Sequence, residues 1–229
     1  MIELHTASTP NGWKISIMLE ECGLPYKVHW VDLGKGEQFT EPFLAISPNG
    51  RIPAIIDTQP ADGGAPLSVF ETGAILVYLA EKSGRFLPAD PRGRAQVIEW
   101  LMWQMAGLGP MLGQHGHFKL YAPTRIDYAL ERYRREALRL YGVLDRRLTG
   151  RDYIADSGYS IADMACFPWV RTWKAQDIPL GEFPAVQAWY ERLKQRPALR
   201  RGLDLGKERA QGNRPHSAEA KRILCGIGE

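Results

Sequence analysis

The pattern of apolar residues divides this chain into two regions of different fold class. Residues 1 to about 83 alternate stretches typical of strands with stretches typical of helices, beginning with a strand over Ile2-Glu3-Leu4-His5-Thr6. From about Arg92 onward the apolar spacing is helical throughout. We therefore predict an α/β domain with a mixed, four-stranded sheet, followed by an all-α helical domain.

A turn over Thr9-Pro10-Asn11-Gly12 separates the first strand from the first helix. Ile15, Met18 and Cys22 recur at helical spacing after this turn, and Gly23 follows as a stop signal. A helix start gathers free backbone N–H groups and the positive end of the helix dipole, which favour a phosphate, a carboxylate or a thiolate. The alternative is a well-capped turn without function, because Thr, Asn and Pro are common at such positions.

Length and charge exclude several classes of protein. A chain of 229 residues can bury a sizeable core, and a formal net charge of +3 is too small to indicate nucleic acid binding. No apolar run approaches the roughly 20 residues of a membrane span, and the first residues lack the features of a signal peptide. We expect a cytoplasmic protein with neither a nucleic acid nor a membrane partner.

The cysteines do not form a recognisable pattern. There are three of them, Cys22, Cys166 and Cys225, and no two share a C-x-x-C spacing. An odd number without that spacing argues against a disulfide framework and against a thioredoxin-type dithiol. If this protein carries out thiol chemistry, the thiol can come from a bound molecule.

Four features, in order along roughly residues 1 to 200, resemble the cytosolic glutathione transferases. They are the turn before the first helix, Arg51-Ile52-Pro53-Ala54 at a strand, Phe70-Glu71-Thr72 opening a helix, and a Ser160-x-x-Asp163 capping box. The resemblance implies a thioredoxin-like domain over 1–84, an all-helical domain over 92–206 and a polar C-terminal tail over 207–229. It also implies a homodimer that binds reduced or oxidised glutathione as a co-substrate, with no metal.

Five longer stretches are similar to the bacterial nu class, whose members are glutathione-dependent disulfide-bond oxidoreductases. The stretches are Thr9-Pro10-Asn11-Gly12, Val31-Asp32-Leu33-Gly34-Lys35-Gly36, Ile46-Ser47-Pro48-Asn49, Pro60-Ala61-Asp62-Gly63-Gly64 and Gly107-Leu108-Gly109-Pro110-Met111-Leu112-Gly113-Gln114.

The resemblance implies how the cysteinyl and γ-glutamyl parts of glutathione are held. Ile52 would offer its backbone to the cysteinyl part, across a cis Ile52-Pro53 bond, and Glu71 and Thr72 would bind the γ-glutamyl ammonium and carboxylate. The alternatives are a trans proline that begins a strand and an ordinary helix start.

Three further positions match residues that contact glutathione in the family. Gln38 and Arg51 are candidates for its glycyl end, and Arg132 matches a nu-class residue that reaches in from the neighbouring subunit. Arg51 and Arg132 also have a simpler interpretation, since exposed arginines are usually only solvated.

The catalytic candidates are Thr9 and Asn11, which are suited to donate hydrogen bonds to the glutathione sulfur. Donors at a helix N-terminus lower a thiol pKa from roughly 8.5 and so favour the thiolate. Other classes place Tyr, Ser or Cys in this turn, which here holds no Tyr or Cys; Ser8 is present, but the nu-class match favours Thr9 and Asn11.

The missing cysteine favours disulfide exchange through bound glutathione, with a second glutathione resolving the mixed disulfide. We therefore expect a reductase of small disulfides, with organic hydroperoxides as further substrates and room for two glutathiones. The alternatives are a conventional transferase that conjugates electrophiles and a non-catalytic glutathione-binding or regulatory module.

A second pocket is expected in the helical domain. Its candidate residues are Trp103, Met105, Leu108, Met111, His115, Phe118 and Trp173, although aromatic and Met side chains at helical spacing are usually core. His115-x-His117 is a weak metal signal because it lacks a nearby Cys or acidic partner.

Overall fold

The structure is a computed structural model that describes residues 1–208 and 218–225. It contains two compact units, one built from residues 1–83 with the described residues from Arg200 onward, and one from residues 84–199. The α/β class of the first and the all-helical class of the second are as predicted.

The first unit contains a four-stranded sheet in the order β2-β1-β3-β4. Its strands are β1 (Ile2–Thr6), β2 (Tyr26–Trp30), β3 (Ala54–Asp57) and β4 (Leu67–Phe70). β2 runs parallel to β1, whereas β3 is antiparallel to both β1 and β4, so the sheet is mixed.

Within residues 1–83, three α-helices accompany the sheet. They are α1 (Pro10–Cys22), α2 (Glu41–Leu44) and α3 (Thr72–Ser83). α1 and α3 pack on each other. The core consists of alternate β1 side chains together with the apolar faces of these two helices, and its fully buried members include Ile2, Leu4, Ile15, Met18, Leu19, Ile75, Leu76 and Leu79. The strand and helix periods read from the sequence are therefore confirmed.

The strand directions bring four chain segments to one edge of the sheet. β1 and β2 both end there, because Thr6 pairs with Trp30 in parallel register. β3 begins there and β4 ends there, because Ala54 pairs with His5 on one side and with Phe70 on the other. The loops that follow β1, β2 and β4, and the residues that precede β3, share this edge.

The second unit is made of helices. They are α4 (Pro91–Trp103), α5 (Gly109–Gly116), α6 (Asp127–Leu148), α7 (Ile161–Val170) and α8 (Pro184–Lys194). A π-helical turn over Gln104–Leu108 joins α4 to α5, at a stretch that contains Gly107, Gly109 and Pro110.

The predicted capping box at the start of α7 is present. The Asp163 carboxylate, which is fully buried, accepts hydrogen bonds from Ser160 N and Ile154 N at 3.0 Å each and from Trp189 Nε1 at 2.8 Å. This side chain therefore fixes the start of α7 to the preceding loop and to α8.

The C-terminal region departs from the predicted polar tail. α9 (Pro197–Asp204) precedes it, and α10 (Ala218–Cys225) lies within it and packs on a 3₁₀ turn at Leu33–Lys35. Ala220 in this helix is buried, so a tail judged by its polar composition nevertheless carries an apolar contact. The rest of the predicted tail lies outside the described residues.

None of the helices in the described part of the chain combines the length and the apolar character needed to cross a bilayer.

Candidate functional site

The turn between β1 and α1 presents a capped helix start at the shared edge of the sheet. Thr9 is the N-cap, with extended backbone, and its Oγ1 accepts a hydrogen bond from Gly12 N at 3.2 Å. A hydroxyl that accepts one bond still carries a proton to donate. Thr9 and Asn11 are both half-buried, so each side chain is partly accessible from outside.

Gly12 lets this turn lie close against the end of β1. A Cβ added there would lie 2.2 Å from the Ala7 carbonyl oxygen and 2.5 Å from Thr6 Oγ1. Any larger residue would push the start of α1 away from the sheet. The glycine therefore fixes the position of Thr9 and Asn11 relative to the strand.

Ser8, the rival hydroxyl in this turn, has a different partner. Its Oγ donates to the Gly206 carbonyl oxygen at 3.2 Å. Gly206 also lies against the Trp30 ring and has a left-handed backbone with φ of 69°. The Ser8 proton is therefore used in holding this C-terminal segment.

A cis peptide bond joins Ile52 to Pro53 directly before β3, as the resemblance implied. Pro53 is buried and Ile52 is half-buried. Ser47 Oγ donates to the Arg51 carbonyl oxygen at 2.8 Å and so holds Arg51, the residue before Ile52. The Arg51 side chain is exposed. The Ile52 main chain thus lies two residues before β3, the strand that runs between β1 and β4.

Glu71 and Thr72 lie at the start of α3, immediately after β4. Glu71 has a left-handed backbone with φ of 67°, and its carbonyl accepts the first helical bond from Ile75 N at 2.9 Å. This conformation is uncommon for a residue other than glycine and is enriched at functional sites. The exposed Glu71 carboxylate accepts a bond from Asn49 Nδ2 at 3.1 Å, which holds it beside the loop before β3.

Lys14 is a buried residue beside the candidate site that the sequence reasoning missed. It lies on α1, is only 2% exposed, and its Nζ donates to Thr72 Oγ1 at 3.2 Å. The bond connects the starts of α1 and α3 and brings an ammonium group to the N-terminus of α3. The available signal was a lysine among the apolar residues of α1, but its partner is 58 positions away in sequence.

Gln38 lies in a 3₁₀ turn over Glu37–Phe39, after β2. Its side chain is 2% exposed, and its Oε1 has no hydrogen-bond partner among the described residues. Gly50 fits against this turn, because an added Cβ would lie 3.2 Å from the Phe39 ring and 3.4 Å from the Gln38 carbonyl oxygen. The turn therefore places Gln38 next to the loop that carries Arg51.

Arg132 belongs to the second unit, where it is exposed on α6. Among the separate set of candidates for the second pocket, Leu108 and His115 are buried. The His115 ring Nε2 lies 2.9 Å from the Gln176 carbonyl oxygen, and Trp173 lines an open cavity with Arg134 and Lys174. The roles assigned to Arg132 and to this pocket stay predictions.

The two cysteines with described side chains both lie away from the turn. Cys22 ends α1, and its thiol donates to Ser83 Oγ at 3.3 Å. At 1.5 Å per residue this is about 16 Å along the helix from Asn11. Cys166 is fully buried in α7. Neither of these two described cysteines can therefore supply a nucleophilic sulfur at the start of α1.

Two family models match the chain. The glutathione S-transferase N-terminal domain matches residues 9–82, and the glutathione S-transferase C-terminal domain matches residues 111–197. Among curated proteins, the disulfide-bond oxidoreductase YfcG of Escherichia coli is 55% identical over 213 residues, which cover 92% of this chain and 99% of that protein.

Solved structures of similar fold hold glutathione. A glutathione transferase from Pseudomonas putida, with one glutathione disulfide bound per subunit, is 45% identical with a TM-score of 0.85 over 89% of this chain and 91% of that one. A glutathione transferase from Burkholderia graminis, with two glutathione molecules per subunit, is 45% identical with a TM-score of 0.86 over 92% of this chain and 89% of that one.

Proposed function

The chain is an enzyme that belongs to the glutathione S-transferase family, and from this premise we propose that it reduces disulfides with glutathione. The observation that carries the proposal is a helix start with a hydroxyl and an amide but no cysteine. Sulfur chemistry at such a start needs the glutathione thiol itself. The similarity to YfcG and the longer sequence matches described above support membership of the nu class.

The site supports one orientation of glutathione. The γ-glutamyl carboxylate binds the N–H groups at the start of α3 and the Thr72 hydroxyl, and the ammonium binds the Glu71 carboxylate. The Ile52 main chain pairs with the cysteinyl unit as a neighbouring strand would. Gln38 and Arg51 bind the glycyl end, which gives the unpartnered Gln38 Oε1 a donor from the ligand amide.

In this orientation the sulfur lies at the start of α1. The Thr9 hydroxyl and Asn11 amide donate to it, and the positive end of the α1 dipole further favours the thiolate. No ionisable protein group is needed to take up the proton, because a lowered pKa leaves the thiol largely ionised in neutral buffer. Thr9 and Asn11 are the catalytic residues on this proposal.

The reaction then follows two exchange steps. The glutathione thiolate attacks one sulfur of a disulfide R–S–S–R′, the S–S bond breaks, and R′–S⁻ leaves and takes up a proton. A second glutathione thiolate attacks the glutathionyl sulfur of the mixed disulfide, which releases R–S⁻ and glutathione disulfide. The relatives from P. putida and B. graminis, with one glutathione disulfide or two glutathiones per subunit, support room for both molecules here.

Organic hydroperoxides are a further proposed substrate class. The same thiolate attacks the outer peroxide oxygen, an alcohol leaves, and the resulting sulfenic acid reacts with a second glutathione to give water and glutathione disulfide. We also propose that the enzyme works in the cytoplasm as a homodimer, with Arg132 reaching the glutathione of the neighbouring subunit.

The test is steady-state reduction of hydroxyethyl disulfide by glutathione, coupled to NADPH through glutathione reductase. We expect Asn11→Ala to lower kcat about ten-fold or more, since a donor to a developing charge is lost. Cys22→Ser is the matched control, and its activity should equal that of the wild type.

Three outcomes would contradict the proposal. Loss of activity in Cys22→Ser would assign the nucleophile to the protein. Wild-type turnover that is faster with an aryl halide than with the disulfide would identify a conventional conjugating transferase, and binding of glutathione without either activity would identify a binding module.

A further inference from the structure

Three side chains with metal-ligating atoms meet on one face of the first unit's sheet. Glu3 and His5 lie two residues apart on β1 and so point to the same face, and His29 lies on β2 directly beside His5 in the parallel register. One ligand atom from each side chain can be chosen so that all three lie within 4.8 Å of one another. This face is opposite to the one that buries Ile2 and Leu4.

The two imidazoles are close but unsatisfied. Their rings stack with centroids 4.5 Å apart and an interplanar angle of 8°, and His29 Nε2 lies 3.7 Å from Glu3 Oε2. Both His5 Nε2 and His29 Nε2 are shielded from solvent, yet neither has a hydrogen-bond partner within the part of the chain that the structure describes. Buried polar atoms nearly always have a partner, so two adjacent exceptions call for a ligand.

We propose that Glu3, His5 and His29 bind one divalent transition-metal cation of the Zn²⁺ class. Imidazole nitrogen and carboxylate oxygen are ligands that Zn²⁺ accepts, and three protein ligands leave a fourth position for water. The cation satisfies both Nε2 atoms at once and balances the carboxylate.

Binding requires a local adjustment. Tetrahedral ligands at about 2.1 Å from Zn²⁺ lie about 3.4 Å from one another. The three ligand atoms lie within 4.8 Å of one another here, so the distances between them must shorten to about 3.4 Å when the cation binds. Stacked rings cannot both aim a lone pair at one point, so each imidazole must turn about its Cβ–Cγ bond. β2 is an edge strand and can follow this change without disturbing a further strand.

The site has a structural consequence that does not depend on glutathione. A bound cation ties the edge strand β2 to β1, and β2 leads into the 3₁₀ turns that carry Leu33–Lys35 and Gln38. A cation that binds the folded chain but not the unfolded chain therefore stabilises the folded state. The two histidines that the sequence suggested as metal ligands, His115 and His117, lie on helix instead. His115 Nε2 already has the Gln176 carbonyl oxygen as a partner.

The test is isothermal titration of the full-length, tag-free, metal-stripped protein with zinc chloride in the absence of glutathione. We expect one equivalent to bind and the melting temperature to rise. His5→Gln and His29→Gln should each weaken binding at least about ten-fold, and Glu3→Gln should weaken it less. His117→Gln is the matched control and should bind Zn²⁺ as the wild type does.

Unchanged Zn²⁺ affinity in both His5→Gln and His29→Gln would overturn the proposal, because the metal would then bind elsewhere. A wild-type Kd weaker than about 1 mM, which is near −4 kcal/mol of binding free energy, would also overturn it.

A second measurement keeps the test valid if a variant does not fold. Wild-type protein titrated with Co²⁺ should develop visible bands of a nitrogen- and oxygen-ligated ion, and the side-chain ¹⁵N signals of two of its five histidines should shift together. Thiolate-to-cobalt charge-transfer bands, or equal shifts of all the histidines, would contradict the assignment.

Discussion

The starts of α1 and α7 are both capped by a side-chain hydroxyl, but the polar groups around the two hydroxyls differ. At α7 the Ser160 and Asp163 side chains face each other, and the carboxylate also accepts bonds from Ile154 N and Trp189 Nε1. At α1 the Thr9 hydroxyl accepts a bond from Gly12 N, and no acidic residue occupies the first turn. One helix start directs its polar atoms inward, whereas the other leaves a donor and a dipole for an anion.

The difference shows that a capping residue does not by itself mark a site. The distinguishing features are half-burial of Thr9 and Asn11, the absence of a competing carboxylate, and neighbouring segments that can hold the rest of a ligand. At α7 the first two features are reversed, since Ser160 and Asp163 are both buried and Asp163 is itself a carboxylate in the first turn.

The largest expected effect comes from breaking the inward-facing start. Asp163→Ala leaves the buried N–H groups of Ile154, Ser160 and Trp189 without their acceptor. We expect the free energy of unfolding to fall by about 3–5 kcal/mol, as is usual when a buried polar network loses its central member. Urea denaturation followed by circular dichroism measures the change.

Asp156→Ala is the control for that variant. Asp156 is a surface carboxylate whose pKa is lowered to about 2 by hydrogen bonds from Gln96 and Arg151 and by the charges of Arg147 and Arg151. Because it is exposed, its removal should change the unfolding free energy by less than about 1 kcal/mol. Equal losses in the two variants would mean that the buried network has no special role.

A second buried carboxylate, Asp57 at the end of β3, differs from Asp163 because it has a cationic partner. Burial raises the pKa of Asp57, but hydrogen bonds from Lys82 Nζ at 2.7 Å, Tyr78 OH at 2.6 Å and Gln59 N outweigh it and lower that pKa overall. A folded-state pKa below the usual 3.8 contributes stability above that pH, which is lost as the pH falls through the folded value.

Asp57→Asn should therefore lower the unfolding free energy by about 2 kcal/mol at pH 7. The difference from the wild type should shrink as the pH falls below about 3.8, the usual aspartate value. Urea titrations of both proteins at several pH values measure it, with Asp62→Asn as an exposed control. A difference that stays constant down to pH 3 would show that the Lys82 contact contributes nothing through charge.

Local sequence patterns were enough to predict the elements that carry the site. The Thr9 cap, the Gly23 stop, the capping box at Ser160 and the strand after Pro53 all depend on residues within a few positions of one another. Period and capping chemistry act over such distances, so a sequence displays them directly.

The missed contacts connect residues that are far apart in the chain. Lys14 reaches Thr72, Asn49 reaches Glu71, and His5 stacks on His29 only because β1 and β2 pair in one particular register. Strand register and helix packing are set by the whole core, so no window of sequence contains them. α10 was missed for a similar reason, because its contact is with a turn near Gly34.

A pair of substitutions separates the two helix starts by function. Thr9→Val removes the hydroxyl, so we expect kcat for disulfide reduction to fall about ten-fold while stability falls by only about 1 kcal/mol. Ser160→Ala should cost a similar amount of stability and leave kcat unchanged. Thr9→Ser should restore activity, because it returns the hydroxyl; failure of that rescue would remove Thr9 from the catalytic assignment.

The smallest effect tests the third helix start, at α3, which depends on Lys14. Lys14 Nζ donates to Thr72 Oγ1 and so lies beside the hydroxyl that is proposed to bind the γ-glutamyl carboxylate. Lys14→Met should therefore raise the KM for glutathione about five-fold, or about 1 kcal/mol, with kcat nearly unchanged. Lys27→Met, on the exposed part of β2, is the matched control. A fall in kcat at constant KM would instead place Lys14 in the sulfur chemistry of α1, and the two starts would then act as one unit.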